Sequence, residues 1–251
     1  MSDTPKPLAG KVALVTGAAG TMGLAATVAL LEDGCRVAMV DFNQARNTEL
    51  AAGLGSAALP FSFDISDHAA VADGHARIVA ALGPVDILVN NAGVLSNNKV
   101  EATAAQEWRH VMGANLDGAF YLAQQVVPAM KLRRSGRIIN TSSLAAKTGG
   151  LTAGTAYSVS KGAMSSLTFS LARELASFGV TVNAIAPAYV RTPMITEQLN
   201  EEQRQKLLRD IPVGRFCEPE EFAHVVLFLA SPLSGFITGE IIDLNGGLLM
   251  D

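Results

Sequence analysis

Residues 16–23 read TGAAGTMG, directly behind the apolar run VALV at 12–15. Glycine this dense between a strand-like run and a helix-like one brings backbone close to a neighbour, and phosphate is a common one. Yet Gly17, Gly20 and Gly23 fall at three-residue intervals. That matches neither G-x-G-x-x-G nor G-x-x-x-G-x-G. Taken alone, the stretch is a nucleotide loop with one altered position or a structural turn, and its surroundings decide between them.

Working outward, short β-branched or apolar runs alternate with longer Ala/Leu-rich ones. KVALVT (11–16) precedes an alanine-rich helix at about 22–33 that Gly34 ends. RVAMVD (36–41) precedes a helix near 44–53, and ALPFSFD (58–64) one near 67–81. VDILVNN (85–91) leads through a loop into helical periodicity over 103–131. GRIINTSS (136–143) precedes a helix over 155–177, VTVNAIAP (180–187) opens a long polar segment, and GEIIDLN (239–245) is the last strand. Strands alternating with helices in this way predict a doubly wound α/β fold, a seven-stranded parallel sheet covered on both faces. No repeat or linker divides the chain, so 1–251 reads as one domain.

The bulk numbers agree. A chain of 251 residues that is 49% hydrophobic and 17% charged can bury a large core, which excludes a disordered chain. A net charge of −4 supplies no general attraction for nucleic acid or anionic lipid. Cys35 and Cys217 lack metal-ligand spacing, so both read as reduced thiols and no metal is expected. The N-terminus MSDTPKPLAG is polar and unlike a signal peptide, and no apolar run approaches the roughly 18 residues of a membrane span. The expectation is a soluble, cytoplasmic protein.

In parallel α/β folds, ligands sit at the carboxyl ends of the strands. Asp41 ends the second strand 24 residues after Gly17, near the spacing at which an acidic residue holds an adenosine ribose. Its carboxylate can accept from two ribose hydroxyls and would repel a 2′-phosphate. No Lys or Arg occurs within 17–23, and Phe42 stands where a phosphate-binding cation would help. NAD(H) is therefore expected over NADP(H). As an alternative, Asp41 caps the next helix.

Tyr157 and Lys161, in AYSVSKGAM, are four residues apart and share a helix face. A free tyrosine, with a pKa of about 10, is a poor base at neutral pH. A nearby ammonium, with the charge of an oxidised nicotinamide, is expected to lower it.

With these residues assembled, the sequence resembles the short-chain dehydrogenase/reductase family over nearly its whole length. The glycine loop looks like TGAAGTMG, the adenine-pocket Asp like Asp64 in FDIS, and the NNAG motif like Asn90-Asn91-Ala92-Gly93. The helix asparagine looks like Asn115, the serine like Ser143, and the Tyr/Lys pair like Tyr157 and Lys161. The nicotinamide-side loop looks like PAYVRTPM (187–194), and the closing strand like ITGEIIDLNGG (237–247).

The resemblance implies a Rossmann-like oxidoreductase interconverting a secondary alcohol and a ketone, with a small-molecule substrate. It implies that Tyr157 exchanges a proton with the substrate oxygen, that Lys161 tunes Tyr157 and binds the nicotinamide ribose, and that Ser143 holds the substrate oxygen. Asn115 would bind, through its main chain, a water linking Lys161 to solvent. Cofactor contacts are implied at Gly17, Gly20, Thr21, Met22, Asp41 and Phe42. Further contacts are implied at Asp64, Ile65, Asn91, Ala92 and Gly93, and at Pro187, Val190 and Thr192 beside Tyr157 and Lys161. The family further implies a substrate-covering segment over about 192–215, and a homotetramer whose dimer contact uses 107–131 and 155–177.

Some positions stay open. Thr21 stands where a glycine is usual, with Gly20 lending backbone freedom one place early and the Thr21 hydroxyl free to cap the helix. Ser142 competes with Ser143, and only one of two successive strand residues can face the site. Pro187-Ala188 replaces Pro-Gly, and Tyr189 after it narrows the pocket or lines it. Asp64 is an adenine contact or a helix cap, Asn90 satisfies backbone groups, and Trp108 is buried or at an interface. The four histidines (68, 75, 110, 224) read as surface or interface residues, and EEQRQKLLRD (201–210) as an amphipathic helix. Two other functions remain beside the main one: an NADPH-dependent 3-oxoacyl-carrier-protein reductase, and a non-catalytic dinucleotide-binding regulator.

Overall fold

The computed structural model describes residues 6–193 and 200–250. Seven strands, β1 (Val12–Thr16), β2 (Arg36–Val40), β3 (Ala58–Phe61), β4 (Ile87–Asn90), β5 (Gly136–Thr141), β6 (Val180–Pro187) and β7 (Ile241–Leu244), form one sheet in the order β3-β2-β1-β4-β5-β6-β7. Every pairing is parallel. A parallel sheet needs cover on both faces, and period-two alternation divides β1 between two cores. Ala13 and Val15 join one core, Val12 and Leu14 the other.

The first core is closed by α1 (Thr21–Glu32), α2 (Gln44–Leu54) and α9 (Pro219–Ala230), which contribute Leu30, Ala51, Phe222 and Val226. The second is closed by α3 (His68–Leu82), α5 (Gly118–Arg133) and α7 (Thr155–Leu175), through Ile78, Leu122, Met130 and Leu175. The short helices α4 (Ala105–Met112) and α6 (Ala145–Thr148) and the helix α8 (Glu201–Asp210) lie outside these layers. Strand order reverses between β1 and β4, which opens a crevice at their carboxyl ends.

The helical pattern over 103–131 is not one helix. A π-helical turn, Gly113–Asp117, separates α4 from α5, and such turns interrupt the regular hydrogen-bond ladder. In α8, Leu207 and Leu208 pack with Tyr189 and Leu248 on Ile211 and Phe216. Of the segment 192–215, residues 194–199 lie outside the described residues. No described helix is long and apolar enough to cross a membrane.

Candidate active site

The glycine turn is built by close approach. Gly17 has φ +64°, and a Cβ there would lie 2.9 Å from Ala92 Cα. Thr16 pins the two loops together, its Oγ1 accepting from the N–H groups of Asn91 and Ala92, both at 3.0 Å. Asn91 answers with its side-chain amide, donating to Thr16 O at 3.1 Å. The Asn91 amide thus spends its donors on the turn.

Gly20 is the N-cap of α1 with φ −80°, a conformation open to any residue, so the backbone freedom expected of it is not needed. Thr21 is the first helical residue rather than the cap. No side chain caps α1, which leaves the first-turn N–H groups of Thr21, Met22 and Gly23 to an external acceptor. Met22 turns its side chain into the first core.

Asp41 is not a helix cap; that place belongs to Asn43, whose side chain accepts from Arg46 N. Instead, Asp41 Oδ2 accepts from Ala19 N at 3.0 Å and Oδ1 from Asn43 N at 2.9 Å. The carboxylate is thereby fixed across the turn, with a second lone pair on each oxygen left to accept a hydroxyl. Phe42 beside it is 85% exposed. Asp64 is no cap either, since Asp67 caps α3 by accepting from Ala69 N and Ala70 N. Asp64 accepts from Ser66 N and Oγ, and Ile65 packs against the face left bare by Gly118. Uncapped helix, glycine cradle and pre-set carboxylate together fit a dinucleotide.

The second half of the site hangs on the end of β5. Three consecutive residues there engage α7. Thr141 O accepts from Lys161 Nζ at 2.7 Å, Ser142 Oγ donates to Lys161 O at 3.0 Å, and the Ser143 side chain lies by the Tyr157 phenol, whose ionised form it favours. Just past the strand, Ser142 is thus turned inward to α7 and Ser143 toward the phenol. Lys161 is buried, its Nζ 5.8 Å from the centre of the Tyr157 ring.

Burial pushes the Lys161 ammonium down to about 8. Burial also raises the Tyr157 phenol, and the Ser143 side chain only partly opposes it. The lowering expected from the sequence counts the charge of an oxidised nicotinamide beside the ammonium; in the chain alone, desolvation is the larger cause.

The two halves meet at the NNAG loop. A Cβ on Gly93 would lie 3.1 Å from Asn115 Oδ1 and 3.5 Å from Lys161 Nζ. Asn115, in the π turn, accepts from Val94 N at 2.7 Å and donates to Ser160 Oγ at 3.0 Å, and Ser160 Oγ donates to Tyr157 O. Pro187 ends β6, Val190 is buried in a bridge with Cys217, and Thr192 is half-buried beyond it.

Asn90 differs from expectation. It donates to the Asn140 side chain at 2.9 Å, and Asn140 donates to Thr168 Oγ1 at 2.9 Å. Trp108 is 39% exposed rather than buried. Sequence reasoning missed Thr16, Ser160 and Asn140. Small polar residues in apolar surroundings were their only signal.

The family described as enoyl-(acyl carrier protein) reductase matches residues 17–249. The chain is 38% identical to a 3-oxoacyl-(acyl-carrier-protein) reductase, FabG, of Thermotoga maritima, over 97% of this chain and 99% of that one. It is 41% identical to an acetoacetyl-CoA reductase of Rhizobium meliloti, over 94% and 98%. A solved short-chain dehydrogenase/reductase of Brucella melitensis, described as a glucose/ribitol dehydrogenase, superposes with a TM-score of 0.92 at 32% identity, covering 99% of this chain and all of that one.

Proposed function

The chain belongs to the short-chain dehydrogenase/reductase family, and on that premise we propose that it interconverts a 3-oxoacyl thioester and its 3-hydroxy form, favouring NAD(H) over NADP(H). It is an oxidoreductase of the carbonyl/CH–OH couple that uses a nicotinamide cofactor. The relatives' names favour the acyl thioester reductase over the general secondary-alcohol enzyme that the sequence puts first. Asp41 keeps the coenzyme reading with NAD(H). The observation that carries the chemistry is Tyr157 beside buried Lys161, whose Nζ lies 5.8 Å from the ring centre and is held by Thr141 O.

The nicotinamide, when bound, supplies or takes the hydride at carbon. This chain's residues manage the oxygen. Ser143 donates to the substrate carbonyl, and Tyr157 gives it a proton during reduction or removes one during oxidation. A phenol raised by burial suits the donor role. Lys161 holds positive charge beside the phenolate left behind, and Asn115 keeps the lysine open to proton resupply. A regulator needs no such proton route, so the non-catalytic alternative is set aside. Segment 192–215 covers the substrate in this reading, and α5 and α7 pair between copies in a cytoplasmic tetramer. Phe120 on α5 and Val159 and Phe169 on α7 leave apolar area exposed there.

Two measurements test this. Coenzyme absorbance with acetoacetyl-CoA, simple ketones, sugars and diols, each with both coenzymes, should give the highest kcat/KM for the thioester with NADH. Higher values for simple ketones or sugars would return the function to the general alcohol reading. Asp41→Ala should raise the NADP/NAD preference ratio by about tenfold, the worth of roughly 1.4 kcal/mol of lost discrimination. An unchanged ratio removes the coenzyme argument. Separately, Ser143→Ala should cost more turnover than Ser142→Ala, and the opposite order would exchange their roles.

A further inference from the structure

The helix that carries Tyr157 begins without a cap of its own. Gly154 is the N-cap of α7, and no side chain accepts from the first-turn N–H groups. Tyr157 is only the third residue of that helix, so whatever fixes the helix start fixes the phenol.

The fixing groups are two carbonyls of the loop after β4. Ser96 O accepts from Gly154 N at 2.7 Å, and Asn98 O accepts from Thr155 N at 3.1 Å. The approach is close enough that a Cβ on Gly154 would lie 2.4 Å from Asn98 O. Those two loop residues are in turn held by one side chain from another helix. Ser96 Oγ donates to Glu107 Oε1, and Asn98 Nδ2 donates to Glu107 Oε2 at 2.9 Å. The Ser96 hydroxyl, then the Asn98 amide, hold the Glu107 carboxyl below its usual range, so it stays an acceptor at neutral pH. Lys99 adds a stitch on the far side, its ammonium donating to Ala153 O at 2.6 Å and Gly150 O at 3.3 Å.

We propose that Glu107 is a positioning residue for Tyr157: its two carboxylate oxygens set the Ser96–Asn98 loop, whose carbonyls set the start of α7. Its catalytic consequence rests on the Tyr157 role given above. Glu107 touches neither Tyr157 nor the glycine turn in this arrangement, so its effect separates from coenzyme binding.

The test pairs hydrogen exchange with kinetics on the full-length protein. In Glu107→Ala, amide exchange in the peptide covering 150–160 should quicken, and kcat should fall on the order of 100-fold, the scale of a misplacement of about 1 Å. The Kd for NADH should stay within about twofold, a split that general destabilisation would not give. Glu107→Gln, which keeps one acceptor oxygen, should recover part of kcat. If Glu107→Ala does not fold, Ser96→Ala, which removes only the hydroxyl, carries the same expectation. Unchanged exchange overturns the proposal, as does faster exchange with kcat intact, or a kcat loss matched by weaker NADH binding. Absence of turnover in the wild-type protein on every carbonyl substrate would instead overturn the functional reading, and exchange would still decide the latch.

Discussion

Tyr157→Phe is expected to lower kcat by about 10³-fold, within the range that positioned proton transfer supplies. The substitution keeps the ring and deletes only the hydroxyl, whose ionisation Ser143 favours. The Ser142 and Thr141 contacts to Lys161 are made without that hydroxyl. NADH binding, followed by fluorescence, should therefore stay within about twofold. Turnover within tenfold of the wild type would remove Tyr157 from the reaction and leave Ser143 without a partner for the substrate oxygen.

Gly23→Ala is expected to be the most damaging single methyl at the cofactor end. Its Cβ would lie 2.1 Å from Gly17 O and 2.9 Å from Asn91 Nδ2. The first contact is with backbone, so relief requires α1 and the turn to part. Overpacking of this kind costs about 1–3 kcal/mol or more, and parting the turn should weaken NADH binding by at least about tenfold. Thermal unfolding with and without NADH reads both. A variant with wild-type Tm and Kd would show that the turn yields freely, against the close packing described here.

The strands were legible because a sheet buried on both faces writes itself as continuous apolar runs. Their ends were not. ALPFSFD (58–64) stops being a strand at Phe61 because its one neighbour, β2, ends at Val40, the residue paired with Phe61. The helix starts near 44 and 67 stand where the sequence puts them, but the caps do not, for a shared reason. Asp41 and Asp64 each accept from the N–H two residues on, a local turn that defers the helix to a later cap, Asn43 or Asp67. The π turn at 113–117 has no local signature. It coincides with two glycines that admit the 64–66 loop, a Cβ on Gly113 lying 3.1 Å from Ser66 Cβ and one on Gly118 lying 2.8 Å from Ile65 Cγ1.

At the site, Tyr157 and Lys161 were visible as a spacing and Ser143 as a choice between two. Glu107 was invisible as anything but a first-turn carboxylate, since its partners arrive from a loop whose path periodicity does not describe. The burial of Tyr157 was also hidden, because burial is a property of the packed chain.

The side-chain chain Asn90–Asn140–Thr168 crosses from β4 through β5 into α7 within apolar surroundings. It acts as an index pin. A helix resting on an apolar sheet could slide by one turn, about 5.4 Å, and still bury its hydrophobic face. Here that slide would bring Met164 or Ala172 opposite Asn140 and strand its amide without an acceptor, at about 1–3 kcal/mol. Only one axial setting of α7 satisfies the amide, and in that setting Lys161 reaches Thr141 O and Tyr157 reaches Ser143. This polar rung thus makes a continuous sliding coordinate into a single notch, and the proton-handling residues inherit its precision.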